Sequence, residues 1–322
     1  RLTPPPVPAV AAHKPGAIPL RPLGLADMYD AAFRIIRFNP KATVGSAVLV
    51  AAVAMAIPVL VTAVLTWTVG LSLDADAAGT AEMVSLGVSY GSLGLGTLLQ
   101  SVGLVLVGGM IAHVTAAAAL GRRLTLGQAW AATYGKRWKL IGLAAVLGSA
   151  LFLVLGLYAA SWVLVVLTGD LVTMVVFGLV SVPAFLAFLF WFWIRVYYLP
   201  APALMLEPVG VFGAIGRGFG LTRRQFWRTF GIALLTVVIA QIAGGMLSMP
   251  VSIVGQGILL GVDSEQYAAL ALVVTQALAT VIASAFVAPF TTTVAAVQYL
   301  DQRIRKEAYD VELMTRAGVL HP

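Results

Sequence analysis

The sequence predicts an all-α integral membrane protein with six transmembrane helices, arranged as three hairpins that each follow a cytoplasmic, in-plane amphipathic elbow helix. Three observations lead to this fold class. Hydrophobic residues make up 60% of the chain and charged residues only 10%, whereas a soluble domain is about 25% charged. Six long segments contain no charged residue at all. The lysines and arginines are confined to one set of connections between those segments.

The six uncharged segments are each long enough to cross a bilayer. A transmembrane helix needs about 20 consecutive, mostly apolar residues. The segments are Ala42–Leu73, Met83–Gly121, Leu140–Gly169, Leu171–Ile194, Thr229–Val262 and Gln266–Leu300. We therefore expect a six-span membrane domain over residues 23–300.

The distribution of charge predicts the orientation. Lysine and arginine near the ends of spans are retained on the cytoplasmic side. All 20 basic residues precede the first segment, follow the sixth, or lie in the second and fourth connections. The remaining connections carry only acidic charges, namely Asp74, Asp76, Glu82, Asp170, Asp263 and Glu265. Both termini are therefore expected in the cytoplasm.

The stretch before the first span predicts an amphipathic helix. Apolar side chains recur along one helical face from Leu25 to Ile36. Asp30 and Arg34 lie on the other face in the favourable i, i+4 order. Asn39 and Pro40 should end this helix and begin the next, with Asn39 as the cap. A helix of this kind lies in the plane of the membrane interface.

The same pattern recurs before the third and fifth spans. The sequences LADMYDAAF (Leu25–Phe33), LGQAWAATY (Leu126–Tyr134) and VFGAIGRGF (Val211–Phe219) align without gaps, and a basic or aromatic cluster follows each. We predict three repeats of elbow helix plus hairpin, over about residues 23–121, 124–195 and 209–300. The alternative is that loops between spans are amphipathic and basic in general, with no repeat.

The two ends of the chain differ from the membrane domain. Residues 1–22 are rich in proline and alanine, which predicts a cytoplasmic tail or linker. Residues 301–322 predict a charged cytoplasmic helix and tail, with the i, i+4 pairs Asp301–Arg305, Arg303–Glu307 and Lys306–Asp310. This helix is either a solvated anchor or a docking surface for a cytoplasmic partner.

A pattern of residues follows the fourth span within Arg195–Leu235. It comprises Arg195, Pro202, Ala203, Leu206, Glu207, Gly210, Ala214, Arg217, Leu221, Arg223, Phe226, Trp227 and Arg228. In this pattern, and at both ends, the chain resembles a bacterial family common in actinobacteria, the glycerophosphoryl diester phosphodiesterase membrane-domain proteins. Gly218 stands where that family has serine. The resemblance implies the bacterial plasma membrane. It does not imply an enzyme, because the phosphodiesterase activity behind the label belongs to a separate soluble barrel.

The sequence predicts no catalytic residue, metal site or cofactor. Three histidines, His13, His113 and His321, are far apart in the chain, and cysteine does not occur, so neither a histidine cluster nor a thiolate site can be built. The glycine-rich stretch at 213–220 lacks the lysine and the strand of a phosphate-binding loop. Nucleic acid is not expected as a partner, because the basic residues flank spans.

A few polar residues lie inside the spans. Gln100, His113, Gln241 and Gln276 are candidates to line a cavity between the hairpins, and the alternative is that they join helix to helix. The interiors of the spans contain no acidic or basic residue, which argues against ion-coupled transport.

Two membrane roles follow from these features. The first is a non-catalytic integral subunit that scaffolds a cell-envelope membrane complex, and the alternative is a permease-like or lipid-handling protein with a hydrophobic cavity between the hairpins. A membrane phosphodiesterase is the least favoured reading. The expected partners are anionic lipids of the inner leaflet and other membrane or cytoplasmic proteins. The candidate interface or partner residues are Arg34, Arg37, Lys136, Arg137, Trp138, Arg195, Glu207, Arg217, Arg223, Trp227, Arg228, Arg303 and Arg305.

Overall fold

The computed structural model describes residues 16–19, 21–70, 78–261 and 265–316. The regular elements of these residues are helices: α1 (Leu25–Phe38), α2 (Pro40–Gly70), α3 (Ala78–Ala119), α4 (Leu126–Ala132), α5 (Arg137–Thr168), α6 (Leu171–Phe192), a π-helix (Trp193–Tyr197), α7 (Pro200–Leu206), α8 (Val211–Thr222), α9 (Phe226–Leu259), α10 (Glu265–Glu307) and α11 (Tyr309–Arg316). Six of these helices, α2, α3, α5, α6, α9 and α10, are long and apolar enough to span a membrane. The predicted all-α, six-span fold class is confirmed.

Several of the sequence predictions concern residues that the structure does not describe. Outside the described ranges lie most of the proline-rich tail with His13, the acidic residues Asp74, Asp76 and Asp263, and residues 317–322 with His321.

Short helices occupy the three predicted elbow positions. They are α1, α4 and α8, and their first residues are those of the three aligned sequences. In α1, Asp30 accepts a hydrogen bond from Arg34 Nε at 2.9 Å. In α4, Thr125 and Gln128 form a reciprocal capping box. The three-repeat relationship and the in-plane orientation of these helices stay predictions.

Asn39 separates α1 from α2, and its side chain has a further role. The chain does break between α1 and α2 at this residue, and α2 begins at Pro40. The side chain of Asn39 is buried, however, and its Oδ1 accepts a hydrogen bond from Leu124 N at 3.1 Å. Asn39 therefore stands at the cap position between the two helices, where its carbonyl accepts from Thr43 N at 3.0 Å, and its side chain also ties this junction to the loop that precedes α4.

The centre of the molecule is a bundle of α2, α3, α9 and α10, and α10 packs against the other three. Glycines allow these helices to approach closely. A side chain at Gly103 of α3 would meet Val50 of α2, and one at Gly244 of α9 would meet Val287 of α10. The aromatic ring of Phe290 is fully buried in the same bundle.

The second hairpin, α5 and α6, lies at the periphery. Helix α5 buries only Leu140, Leu143 and Leu147 among its described residues, all in its first three turns. Helix α6 buries none. The hairpin therefore joins the bundle at its base and extends away from it.

Two segments were not anticipated. After α6 the chain passes through the π-helix into α7, which Pro200 begins at its first position. The charged segment after the sixth span is helical but divided, because α10 ends at Glu307 and Ala308 takes a left-handed conformation with φ 51° before α11. We call the end of the bundle formed by α1, α4, α7, α8 and the last turns of α10 the basic end.

Candidate functional site

An apolar cavity of about 260 Å³ lies between the three hairpins. Its lining comes from α3 and α10, from Leu147 of α5, from the π-helix and α7, and from the stretch of α9 between Ala233 and Gln241. The π-helix and α7 form one wall, because they turn the chain back across the base of the bundle after α6. The π-helix and α7, which the sequence did not predict, are therefore needed to form the cavity.

One polar group in this cavity has no partner. The hydroxyl oxygen of Tyr198 is buried, and no hydrogen bond to another described residue satisfies it. The threonine hydroxyls of the lining donate to their own helices instead: Thr236 to Ile232 O at 2.6 Å, and Thr292 to Ala288 O at 2.6 Å. The surroundings are thus largely apolar, and the hydroxyl of Tyr198 has no protein partner that would compete with a bound molecule.

A second feature of the basic end is the fully buried carboxylate of Asp301. It accepts hydrogen bonds from Leu23 N at 2.7 Å, from Arg228 Nη1 at 2.6 Å and from Arg305 Nε at 3.0 Å. Arg228 and Arg305 also donate to Leu23 O. This arrangement fastens the chain before α1 to both α9 and α10, and the two arginines compensate the buried charge.

A further cluster of charges surrounds Glu207, at the end of α7. Arg217 Nε donates to Glu207 at 2.8 Å and Tyr299 donates its hydroxyl to the same carboxylate. Arg303 lies 3.5 Å from Glu207 and 3.0 Å from Glu307, and Arg217 also pairs with Glu307. Burial by itself would lower the pKa of Arg217, but the hydrogen bonds to the two glutamates outweigh it and raise that pKa. The cluster joins α7, α8 and α10.

Two lysines at this end donate hydrogen bonds to the carbonyls at the ends of two short helices. Lys136 Nζ donates to the carbonyls of Leu204, Met205 and Glu207 at the end of α7. Lys306 Nζ donates in the same way to three carbonyls at the end of α8. Cations at the carboxyl end of a helix satisfy carbonyls that lack intrahelical partners. Burial, followed by the charge of Lys139, lowers the pKa of Lys136.

The predicted interface residues divide into two groups. One group is engaged within the protein: Lys136, Glu207, Arg217, Arg228, Arg303 and Arg305, as described above, with Arg137 stacked on the Trp130 ring at 4.2 Å. The other group is exposed: Arg34, Arg37, Trp138, Arg223 and Trp227. Arg195 lies between the groups, because it is partly buried and borders an open cleft.

The predicted cavity residues do not converge on one place. Gln241 lines the apolar cavity. His113 lines a separate pocket beside α4 and α11, and its Nε2 has no partner among the described residues. Gln100 and Gln276 belong to neither lining. Within the described ranges no three metal-binding side chains come together.

The most informative contacts that sequence reasoning missed are those of Tyr198 and those of Asp301 with Leu23 and Arg228, since only the Asp301–Arg305 pair was predicted. Asp301 carried a signal, because it is an acid placed directly after a long apolar span. Tyr198 carried little, because an aromatic pair at the end of a span is ordinary in membrane proteins.

No protein family matches this chain, and neither a curated protein nor a solved structure is similar to it. The resemblance to the phosphodiesterase membrane-domain family therefore stays a prediction.

Proposed function

We propose that this integral membrane protein holds an apolar molecule, such as a lipid acyl chain, in the cavity between its hairpins and carries out no chemical step of its own. The cavity is the observation that supports this role. Its volume of about 260 Å³ is close to the lower bound of small-molecule sites, about 300 Å³. Apolar cavities of about 150 Å³ already accept a molecule the size of benzene.

The depth of the cavity suits a membrane-derived molecule. Its lining on α9 runs from Ala233 to Gln241, about 10–22 Å along the helix from Phe226 at 1.5 Å per residue. The hydrocarbon core is about 30 Å thick. The cavity therefore lies around the middle of the hydrocarbon core, at the depth of acyl chains.

The unpartnered hydroxyl of Tyr198 suggests the polar part of the bound molecule. Tyr198 can donate to a carbonyl or carboxylate oxygen, and a buried donor without a partner is costly. A fatty acid or an acyl ester supplies such an oxygen beside an apolar chain. The cargo class we propose is therefore an acyl-chain lipid.

The geometry supports this role better than scaffolding, which the sequence favoured. Scaffolding rested in part on the paired charges after the sixth span. Those charges are engaged internally: Asp301 is fully buried, and the side chains of Arg303 and Arg305 are 14% and 27% exposed. They are therefore poorly placed to form a docking surface.

Filling the cavity tests the proposal. Ala233→Phe should block it, whereas Ala160→Phe places the same bulk on an exposed position of α5. We expect the purified wild type and Ala160→Phe to bind a fluorescent fatty acid, and Ala233→Phe to lose that binding. Tyr198→Phe, which keeps the shape, should weaken binding by about tenfold through loss of one hydrogen bond. Equal binding by all four proteins would refute the proposal.

A second candidate function, the membrane scaffold, is favoured by the second hairpin. Helix α6 exposes large apolar side chains along its whole length, including Leu171, Val175 and Leu179. A partner's helix could pack there in place of lipid. Gentle detergent extraction should then recover a second protein in a fixed ratio, and recovery of the chain alone would count against this role.

We further propose that the basic end faces the cytoplasm of a bacterial plasma membrane, as the positive-inside rule predicts. The chain has no cysteine, so a single engineered one reports cleanly. A cysteine near residue 78 should react with an impermeant reagent from outside intact cells, and one near residue 130 should not. The reverse pattern would overturn the orientation.

A further inference from the structure

A basic cleft opens at the start of α9. Its lining consists of Arg195, Arg224, Gln225, Phe226, Trp227 and Arg228, and its volume is about 450 Å³. The cleft shares no lining residue with the apolar cavity. We propose that it binds a phosphate group, supplied by the headgroup of an anionic phospholipid. This inference does not depend on what the apolar cavity holds.

Positive charge exceeds negative charge at the cleft. Its lining contains three arginines and no carboxylate. Lys306 donates to Arg223 O at 2.7 Å, next to the cleft, and is close enough to Arg195 and Arg224 for their charges to repel it. Asp301 compensates Arg228 from the bundle side, so the charges of Arg195 and Arg224 remain to attract an anion.

Arg195 is held in position with a donor to spare. Its guanidinium lies 4.9 Å from the Phe219 ring centroid and 5.8 Å from that of Phe226, and Nη1 donates to Phe219 O at 3.3 Å. Its Nε is buried and has no acceptor among the described residues. A phosphate oxygen is a suitable acceptor, because guanidinium and phosphate form charge-assisted hydrogen bonds.

Arg224 occupies an unusual backbone position. Its φ is 71°, in the left-handed region, directly after α8. Glycine or asparagine usually occupies this position at the end of a helix, because a Cβ is unfavourable there. An arginine at such a place points to a need for its side chain.

The depth of the cleft matches that of lipid phosphates. The apolar helix α9 begins at Phe226, within the cleft. Trp227 is 78% exposed, and exposed tryptophans at the ends of spans lie at the level of the headgroups. The first amides of α9 also face this end and add partial positive charge.

A matched pair of variants tests the cleft. Arg224→Asn removes a cleft arginine and substitutes a residue suited to the left-handed region. Arg223→Asn removes the neighbouring arginine, which is exposed as Arg224 is but lies outside the lining. Native mass spectrometry of the full chain in detergent would count bound phosphatidylglycerol, with phosphatidylcholine of the same acyl chains as comparison and soluble glycerol phosphate as competitor. Should Arg224→Asn reduce the folded yield, Arg224→Gly serves as a second variant.

We expect Arg224→Asn to weaken phosphatidylglycerol binding by about tenfold, as loss of a charged hydrogen-bond donor would. Arg223→Asn should change it by less than about twofold, because Arg223 lies outside the lining of the cleft. Displacement of the lipid by glycerol phosphate would support the phosphate site and assign it to a soluble phosphate ester. Equal losses in the two variants, or equal binding of phosphatidylcholine, would overturn the proposal.

Discussion

The central bundle and the second hairpin have similar composition but different surroundings. In the most apolar stretch of α3, 72% of the residues are buried, whereas in the most apolar stretch of the span that contains α6 no residue is buried. The difference lies in the small residues: side chains at Gly96, Gly103 and Gly109 of α3 would collide with α2 or α5, whereas Gly148 and Gly156 of α5 have no neighbour within 4 Å. In lipid there is no hydrophobic drive between helices, so close packing at small residues decides which spans associate.

The boundary between the two regions runs through α5. Its first turns are packed against α3 and α7 through Leu140 and Leu143, and burial ends at Leu147. Beyond that point the hairpin is held by its own contacts, such as the Tyr158 ring stacked on Phe185 at 3.8 Å and Gly178 against Trp162. One helix thus belongs to both regions.

The largest expected effect on the free energy of unfolding is a difference between two acidic residues, one from each region. Asp301→Asn in the bundle should leave Arg228 and Arg305 without their buried counter-charge and lower the free energy of unfolding by about 3–5 kcal/mol. Asp170→Asn at the start of α6 should change little, because asparagine caps helices as well as aspartate does. Thermal unfolding in detergent measures both. Similar midpoints for the two variants would contradict the assigned importance of Asp301.

The next effect is expected within α5 itself. Leu143→Ala removes a fully buried side chain and should cost at least about 2 kcal/mol through the cavity it leaves. Leu164→Ala, at 63% exposure on the same helix, should be close to neutral in detergent. If Leu164→Ala were the more destabilising, the outer half of the hairpin would be packed against something that a single chain does not provide.

Sequence reasoning predicted the number and position of the spans well, because length and lack of charge are local properties. It could not predict their packing. Nothing in the composition of α6 distinguishes a lipid-facing helix from a buried one, since both are apolar. The break at Ala308 was also missed, because the i, i+4 charge pairs continue across it in the sequence.

The candidate site was less predictable than the fold. Gln241 was named and does line the cavity, but the wall made by the π-helix and α7 depends on how Tyr197, Tyr198 and Pro202 turn back against α3 and α10. That is a tertiary arrangement with no periodic signal. Glu207 and Arg217 were noticed, yet their mutual pairing across ten residues could be known only from the structure.

A smaller effect is expected where α9 crosses α10. A Cβ at Gly255 would collide with the β-branched Thr275, whereas one at Gly257 would meet nothing within 4 Å. Gly255→Ala should therefore destabilise by about 1–2 kcal/mol through overpacking. Gly257→Ala should be neutral or slightly stabilising, because alanine is the better helix former. Denaturation in mixed micelles would compare them, and equal stability would mean that the crossing is looser than the structure has it.

The smallest effect concerns the base of the second hairpin. Lys136→Met removes the cation that completes α7 and ties it to the start of α5. The variant loses the hydrogen bonds of this lysine, but it also no longer has to bury a charged group. We therefore expect the free energy of unfolding to fall by about 1 kcal/mol. Lys139→Met, an exposed lysine on the next turn, is the matched control and should be neutral. Since α7 forms a wall of the cavity, Lys136→Met should also weaken fatty-acid binding. Weaker binding in the Lys139 variant instead would show that charge near the membrane, and not the position of α7, controls access to the cavity.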